Sequence, residues 1–523
     1  MAHNLLILIE TLAFVYLSFL AGDLVFRLAG RALAAERLRG AYAVMLGAGI
    51  FGMMGLLLGL VGSLTPLHLR LFMLVILAAS RQTIADHARI LWSHASPTAL
   101  AGLVRPILRE HAFFKLLIFF WLAFNFVLAF VPITAHDTKS YHLPIITDLQ
   151  TQARITFSPE ILEYGWMPLM GQIMYAVPTI AFANTTAPFV FQIMQYGALV
   201  LLIIIINEFL RDKIRYLFLR FGAILFILAI FDLQREALHG GYTDMFVYLF
   251  GITSALLLIE GCCRGRFHSP SITLSAIFLG VALGVKQTAL FIAATNYLFL
   301  LIGMVKNHAG TKKIISHLAI YSLIVLLIAG FWYARNAIIY EDPLYVGGVE
   351  LHAGRMAETF VIERTPLNMI LFPFYKFGPN ERNNSISSSK FIVLGYFILV
   401  YTAVAGAVLF ARKKIALPEI LLFAASHIQL MLIFFQSHHT RYLLPAIIIL
   451  PIILVLFLDK IYGLINEVMN RGKYRTLIRI SRLCLGIVCF IFFIGNIRYF
   501  YVRVLYKTGV LNKQEYIKKI GSQ

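Results

Sequence analysis

Residues 113–144 read FFKLLIFFWLAFNFVLAFVPITAHDTKSYHLP. The stretch is almost wholly apolar as far as Val131; then an acid, a base and two histidines (His136, Asp137, Lys139, His142) fall within seven residues. About 20 consecutive apolar residues is the length an α-helix needs to cross the hydrocarbon of a bilayer. The polar cluster therefore sits at the mouth of a membrane span.

The rest of the chain repeats that apolar pattern. Of its 523 residues 60% are hydrophobic and only 13% charged, and the mean hydropathy is +0.82. A soluble domain averages about 45–50% apolar and about 25% charged. The composition defines a multi-pass membrane protein. Its spans are expected to be helices, because the apolar runs are too long for barrel strands. Roughly fourteen segments qualify: 4–26, 41–62, 67–80, 112–132, 186–206, 214–231, 242–260, 271–285, 287–305, 315–334, 391–411, 417–436, 441–458 and 484–503. The expected fold is an all-α polytopic bundle of roughly 12–14 transmembrane helices. The stretch 271–305 reads either as two short spans meeting at Gly284–Gln287 or as one bent span.

The net charge of +20 comes from 45 basic and 25 acidic residues. In a soluble chain it would point to nucleic acid; here the basic residues fall in alternate loops. Segments 27–39, 81–115, 211–220, 264–266, 306–313, 412–414 and 459–483 are all basic-rich, which makes their side cytoplasmic by the positive-inside rule. The cluster at 136–142 then lies outside, as do 232–241, 335–390 and the turn 437–440. The basic tail after Arg503 falls on the outer side in this count, against the rule. The first apolar run lacks a basic flank and a small-residue cleavage site, so it reads as a retained span. The four cysteines form no disulfide or zinc pattern.

Two outer loops run to about fifty residues, far beyond what connecting helices requires. Within them, 140–157 has the mixed pattern of a helix on the membrane surface, and 166–182 reads as interfacial or re-entrant. Five polar groups stand out. Asp137 is either part of a solvated rim or a general base in an apolar setting, with His136, Lys139, Tyr141 and His142 around it. Asp244 opens a span, as a helix-starting acid or as a second site acid. Lys286 is costly in an apolar run unless it is paired or reaches water; reaching an anionic phosphate is its functional reading. Arg335 follows Trp332 and Tyr333, as an interfacial anchor or a phosphate ligand. His438, His439, Arg441 and Tyr442 crowd a short turn, a chemistry that suits phosphate esters. No nucleotide-binding or hydrolase motif occurs, and no spacing demands a metal, so a divalent cation is left open.

In order, "HDTKSYHLP", "GYTDMF", "GVKQTAL", "WYARNAIIYEDPLY" and "HTRYLLP" resemble the GT-C superfamily of membrane glycosyltransferases, and within it bacterial relatives of protein O-mannosyltransferases and lipid A aminoarabinose transferases. The resemblance covers roughly residues 112–445. It implies a catalytic core over 112–445, an N-terminal extension over 1–111, and C-terminal helices with a basic tail over 446–523. It further implies a polyprenyl-phosphate sugar donor, a glycan, lipid or protein acceptor, and an active site on the outer face of an inner membrane. Asp137 takes the base role and Asp244 that of the second acid. In the mechanism this implies, the donor phosphate lies near Lys286, Arg335 or Arg441. Many relatives carry two adjacent acids where this chain has His136–Asp137. Two other classes handle similar ligands: a transporter or flippase of lipid-linked sugars, and an O-antigen ligase or polymerase.

Overall fold

The computed structural model describes residues 2–30, 38–94, 111–130, 133, 137–156, 165–183, 187–230, 233–234, 242–265, 267, 269–345, 365–366, 386–436, 440–469, 471–507, 510, 512 and 515. Among them there is no strand. The helices are α1 (Ala2–Leu28), α2 (Arg39–Leu60), α3 (Pro66–Ala79), α4 (Arg81–His94), α5 (Ala112–Leu128), α6 (Leu143–Gln152), α7 (Met170–Ala181), α8 (Ala187–Arg211), α9 (Leu217–Ala229), α10 (Asp244–Cys263), α11 (Pro270–Val285), α12 (Leu290–Lys306), α13 (Thr311–Tyr340), α14 (Ile386–Ala411), α15 (Leu417–Gln436), α16 (Thr440–Val468) and α17 (Arg471–Lys507).

Each expected apolar segment coincides with one of these helices. Among the described residues, eight are long and apolar enough to cross a membrane, or nine if the pair α3 and α4, bent by 66°, counts as one span. Five others, including α5, α9 and α11, are apolar but only 10–17 residues long in their described parts. The protein is thus an all-helical, multi-pass membrane protein. Three local expectations change. The 81–115 loop begins as helix α4, and 459–483 is largely helical, carried by the ends of α16 and α17. Of the segment 166–182, read as interfacial or re-entrant, the twelve residues of α7 are all buried within the protein, which leaves that helix no face for lying on the membrane surface. The helix within 140–157 also buries one face, through Ile145, Ile146 and Leu149.

Two compact units make up the chain: Met1–Glu110, Ile133–Ile205 and Ala237–Gly347 form the first, and His111–Pro132, Ile206–Glu236 and Gly348–Gln523 the second. The three-part contiguous division at 111 and 445 does not coincide with them. Residues 1–110 share a unit with the segments carrying Asp137, Asp244 and Lys286.

In the first unit α1 and α2 form a close pair. A Cβ on Gly22 would overlap the carbonyl of Ala43, and one on Gly47 the carbonyl of Ser18. Small residues four apart on both helices allow this approach, the usual way membrane helices gain van der Waals contact. Another face of α2 carries Gly52, Gly55 and Gly59. These accept Met170, Ile173 and Ile155, and so seat α7 against the hairpin. The other end of the pair is tied by charge: Asp23, 6% exposed, takes Arg27 at 3.0 Å and Arg39 at 2.7 Å, and Thr83 of α4 donates to it at 3.2 Å.

In the second unit a buried acid organises a helix start. Asp459 of α16 accepts from the backbone N–H groups of Arg215 at 2.8 Å and Tyr216 at 3.2 Å, just before α9, and pairs with the Arg215 guanidinium at 3.1 Å. A carboxylate at a helix N-terminus satisfies donors that have no intrahelical partner. Lys460 pairs with Glu419 of α15 at 3.0 Å.

Candidate functional site

The first unit gathers its polar side chains at a helix break. Helix α11 stops at Val285; Lys286 is extended, with φ −162° and ψ 142°, and a 3-10 turn over Gln287–Ala289 leads into α12. Of the two readings of 271–305, two helices meeting at 284–287 is the one the structure shows. Leaving the helix turns the lysine inward. Its Nζ lies 2.9 Å from Oδ1 and 2.8 Å from Oδ2 of Asp244, the first residue of α10. Lys286 is 8% exposed and Asp244 1%. Neither charge would be tolerable there alone; each desolvated ion is compensated by the other, and the carboxylate also gains from the N-terminal end of the α10 dipole.

The approach to Asp244 is built from α7 and α8. Tyr175 donates to the carbonyl of Tyr242 at 3.0 Å, and Gln195 donates to the same oxygen. Gly171 lies against Thr243. These contacts fix the backbone just ahead of the acid. The Tyr242 ring meets His142 edge to face, with centroids 6.1 Å apart, which brings the Asp137 segment to the same place.

That segment is a π-helical turn over Thr138–His142, with Asp137 at its start. Such turns concentrate at functional sites because the extra residue re-aims side chains. Tyr141 donates to Asp137 Oδ2 at 3.3 Å and packs its ring 4.3 Å from that of His142. Nε2 of Gln172 lies 3.1 Å from His142 Nδ1. Asp137 is half-buried, Lys139 exposed, and Tyr141 and His142 buried. A line of contacts therefore runs Asp137–Tyr141–His142–Tyr242 and on along the chain to Asp244–Lys286. The two acids differ in kind: both oxygens of Asp244 face an ammonium, whereas Asp137 sits closer to solvent.

Arg335 and Trp332 are not surface anchors; they are 6% and 0% exposed. The guanidinium lies over the Trp332 ring, 5.3 Å from its centroid. It donates to the carbonyl of Trp166 at 2.6 Å, and Asn336 donates to the same oxygen at 3.0 Å. Among the described residues, the indole N–H of Trp332 and the amide oxygens of Gln172 and Gln195 have no hydrogen-bond partner. All three are fully buried. Buried polar atoms of this kind mark places where water or a ligand completes the bonding.

His136, His438 and His439 lie outside the described residues, as does the side chain of Arg441. Arg441 and Tyr442 open α16 and belong to the second unit; Tyr442 is half-buried. Among the described residues no three His, Cys, Asp or Glu side chains are grouped so as to hold a metal ion. Gln172, Gln195 and Trp166 were not among the residues that the sequence singles out. The one signal for Gln172 and Gln195 is an isolated amide in an otherwise apolar segment, and Trp166 carries none. Comparison with known proteins returns no match, whether with protein families, curated proteins or solved structures.

Proposed function

We propose that this protein is a membrane glycosyltransferase of GT-C type, moving a sugar from a polyprenyl-phosphate donor to an acceptor at the outer face of the inner membrane. The observation that carries the reading is the pairing of roles among the acids: a half-buried Asp137 joined through Tyr141, His142 and Tyr242 to an Asp244 locked by Lys286 at 2.8 Å. Asp137 takes the proton of the acceptor hydroxyl while the acceptor oxygen attacks the anomeric carbon. The bond from that carbon to the phosphate oxygen breaks on the opposite face, and polyprenyl phosphate leaves with the electron pair. The configuration inverts. Lys286 supplies an already desolvated cation near the leaving phosphate, where charge develops. No nucleotide is required, since the lipid phosphate carries the activation. The acceptor is a cell-envelope glycan, a lipid or a protein.

The test is Asp137→Asn. Its expected outcome is loss of sugar transfer to envelope acceptors, seen by mass spectrometry, with normal expression and unfolding temperature. Full transfer by the variant removes the base assignment. A second reading, movement of lipid-linked sugar across the bilayer, draws on the broken helix at Lys286, since transporters place binding sites at such breaks. Purified protein in liposomes separates the two: transferred sugar supports the enzyme, and translocated intact lipid the transporter.

A further inference from the structure

The sequence Tyr340-Glu-Asp-Pro-Leu-Tyr345 folds into a compact corner. Glu341 takes the left-handed conformation, φ 57°, and ends α13, as C-terminal residues of helices commonly do. Asp342 and Pro343 then make a turn. The N–H of Tyr345 donates to the carbonyl of Asp342 at 3.1 Å, and the N–H of Leu344 to the Asp342 carboxylate at 2.8 Å. The turn brings Tyr345 back over Tyr340, with rings stacked 4.1 Å apart and only 8° from parallel. Trp166, from a distant loop, stands at 87° to Tyr345 with centroids 6.4 Å apart. All three rings are half-exposed.

Half-exposed aromatics near the end of a span are usually bilayer anchors. An anchor needs no fixed backbone, and these have one. The Trp166 carbonyl is held by both Arg335 and Asn336, each buried. The Tyr345 carbonyl is held by Gln287 at 3.2 Å, the residue after Lys286. Buried Arg335 and Asn336 on one side and half-buried Gln287 on the other thus fix two rings from different loops at a right angle, beside the helix break that carries the Asp244–Lys286 pair.

We propose that Trp166, Tyr340 and Tyr345 form a binding platform for a pyranose ring: one apolar CH face of the sugar lies on an aromatic face, and the perpendicular ring closes its edge. The exposed carboxylates of Glu341 and Asp342 stand beside it as acceptors for hydroxyl groups. The placement next to Lys286 deepens the glycosyl-transfer reading and rests on it for its role, but not for binding. The sugar is that of the acceptor or of the lipid-phosphate donor.

Saturation-transfer NMR on the full protein in nanodiscs tests this with two free probes, cellotriose and methyl β-D-galactopyranoside. Transfer to the sugar CH protons is expected. It should weaken roughly two- to tenfold per ring removed in Trp166→Leu and Tyr345→Leu, the range of single aromatic contacts. Trp166→Tyr should restore it, which separates a lost ring from a lost fold; Tyr340→Leu, which removes the third ring, should weaken transfer in the same range. Displacement of the free sugar by a short-chain prenyl-phosphate glucose assigns the platform to the donor; binding of both together assigns it to the acceptor. No transfer to either free probe, or equal transfer with and without the rings, overturns the proposal. Sugar binding in a protein that transfers no sugar overturns the enzyme reading instead and leaves the platform standing.

Discussion

At the scale of single residues, the Asp244–Lys286 pair makes the sharpest energetic demand. A buried ion stripped of its partner costs about 3–5 kcal/mol, whereas removing both charges leaves nothing uncompensated. Lys286→Met should therefore unfold well before the wild type in a denaturant titration in detergent, and Asp244→Asn with Lys286→Met should recover most of the loss. Equal loss in the single and double variants would show that the pair does not hold the helix break together. These residues were legible as unusual: an acid at a span start and a lysine in an apolar run. That they meet was not, because they stand 42 positions apart and no local pattern encodes such a meeting. The same holds for Arg335 and the Trp166 carbonyl, 169 positions apart. There the sequence leaves an interfacial anchor and a phosphate ligand both open, and packing of α13 within the first unit buries the side chain, against the anchor reading.

At the scale of elements, the approach of α1 to α2 depends on the absence of side chains. Gly47→Leu would drive a branched side chain into the backbone of α1 at Ser18, and Gly22→Leu would do the same at Ala43. Each should lower the yield of folded protein in detergent, read by size-exclusion chromatography, while Gly62→Ala, at a glycine with open space around it though in a left-handed turn, should cost far less. An undiminished folded yield for both leucine variants would mean the helices separate without consequence. Hydropathy located nearly every helix, since a span of apolar length must satisfy its backbone internally. It leaves α7 as either interfacial or re-entrant, because an apolar helix of twelve residues fits both. The deciding signal lies elsewhere, in Gly52 and Gly55 of α2, which open the slot that α7 fills. Helix α4 was missed for a related reason: its basic residues resemble a loop, while Thr83 and His87 face α1 through contacts to Asp23 and Tyr16.

At the scale of the whole molecule, the alternation of basic loops sets an orientation that labelling can check. Cys263 is exposed at the end of α10, and Lys139 is exposed in the π-turn. In a variant keeping Cys263 alone, a membrane-impermeant maleimide should react only in inside-out vesicles; in a cysteine-free Lys139→Cys variant it should react only in right-side-out ones. Labelling of both from one side would overturn the assignment of faces. The division into interleaved units has a consequence for how the protein is made. Every segment of the first unit precedes residue 348, so that unit is complete once the ribosome has passed it. The second unit has two pieces, 111–132 and 206–236, synthesised long before the rest of it. The first of them, α5, carries Asn125, 1% exposed in the finished fold, and packs Trp121 against Phe493 of α17. Helix α5 therefore waits for the last third of the chain before the face it lends to α17 is covered.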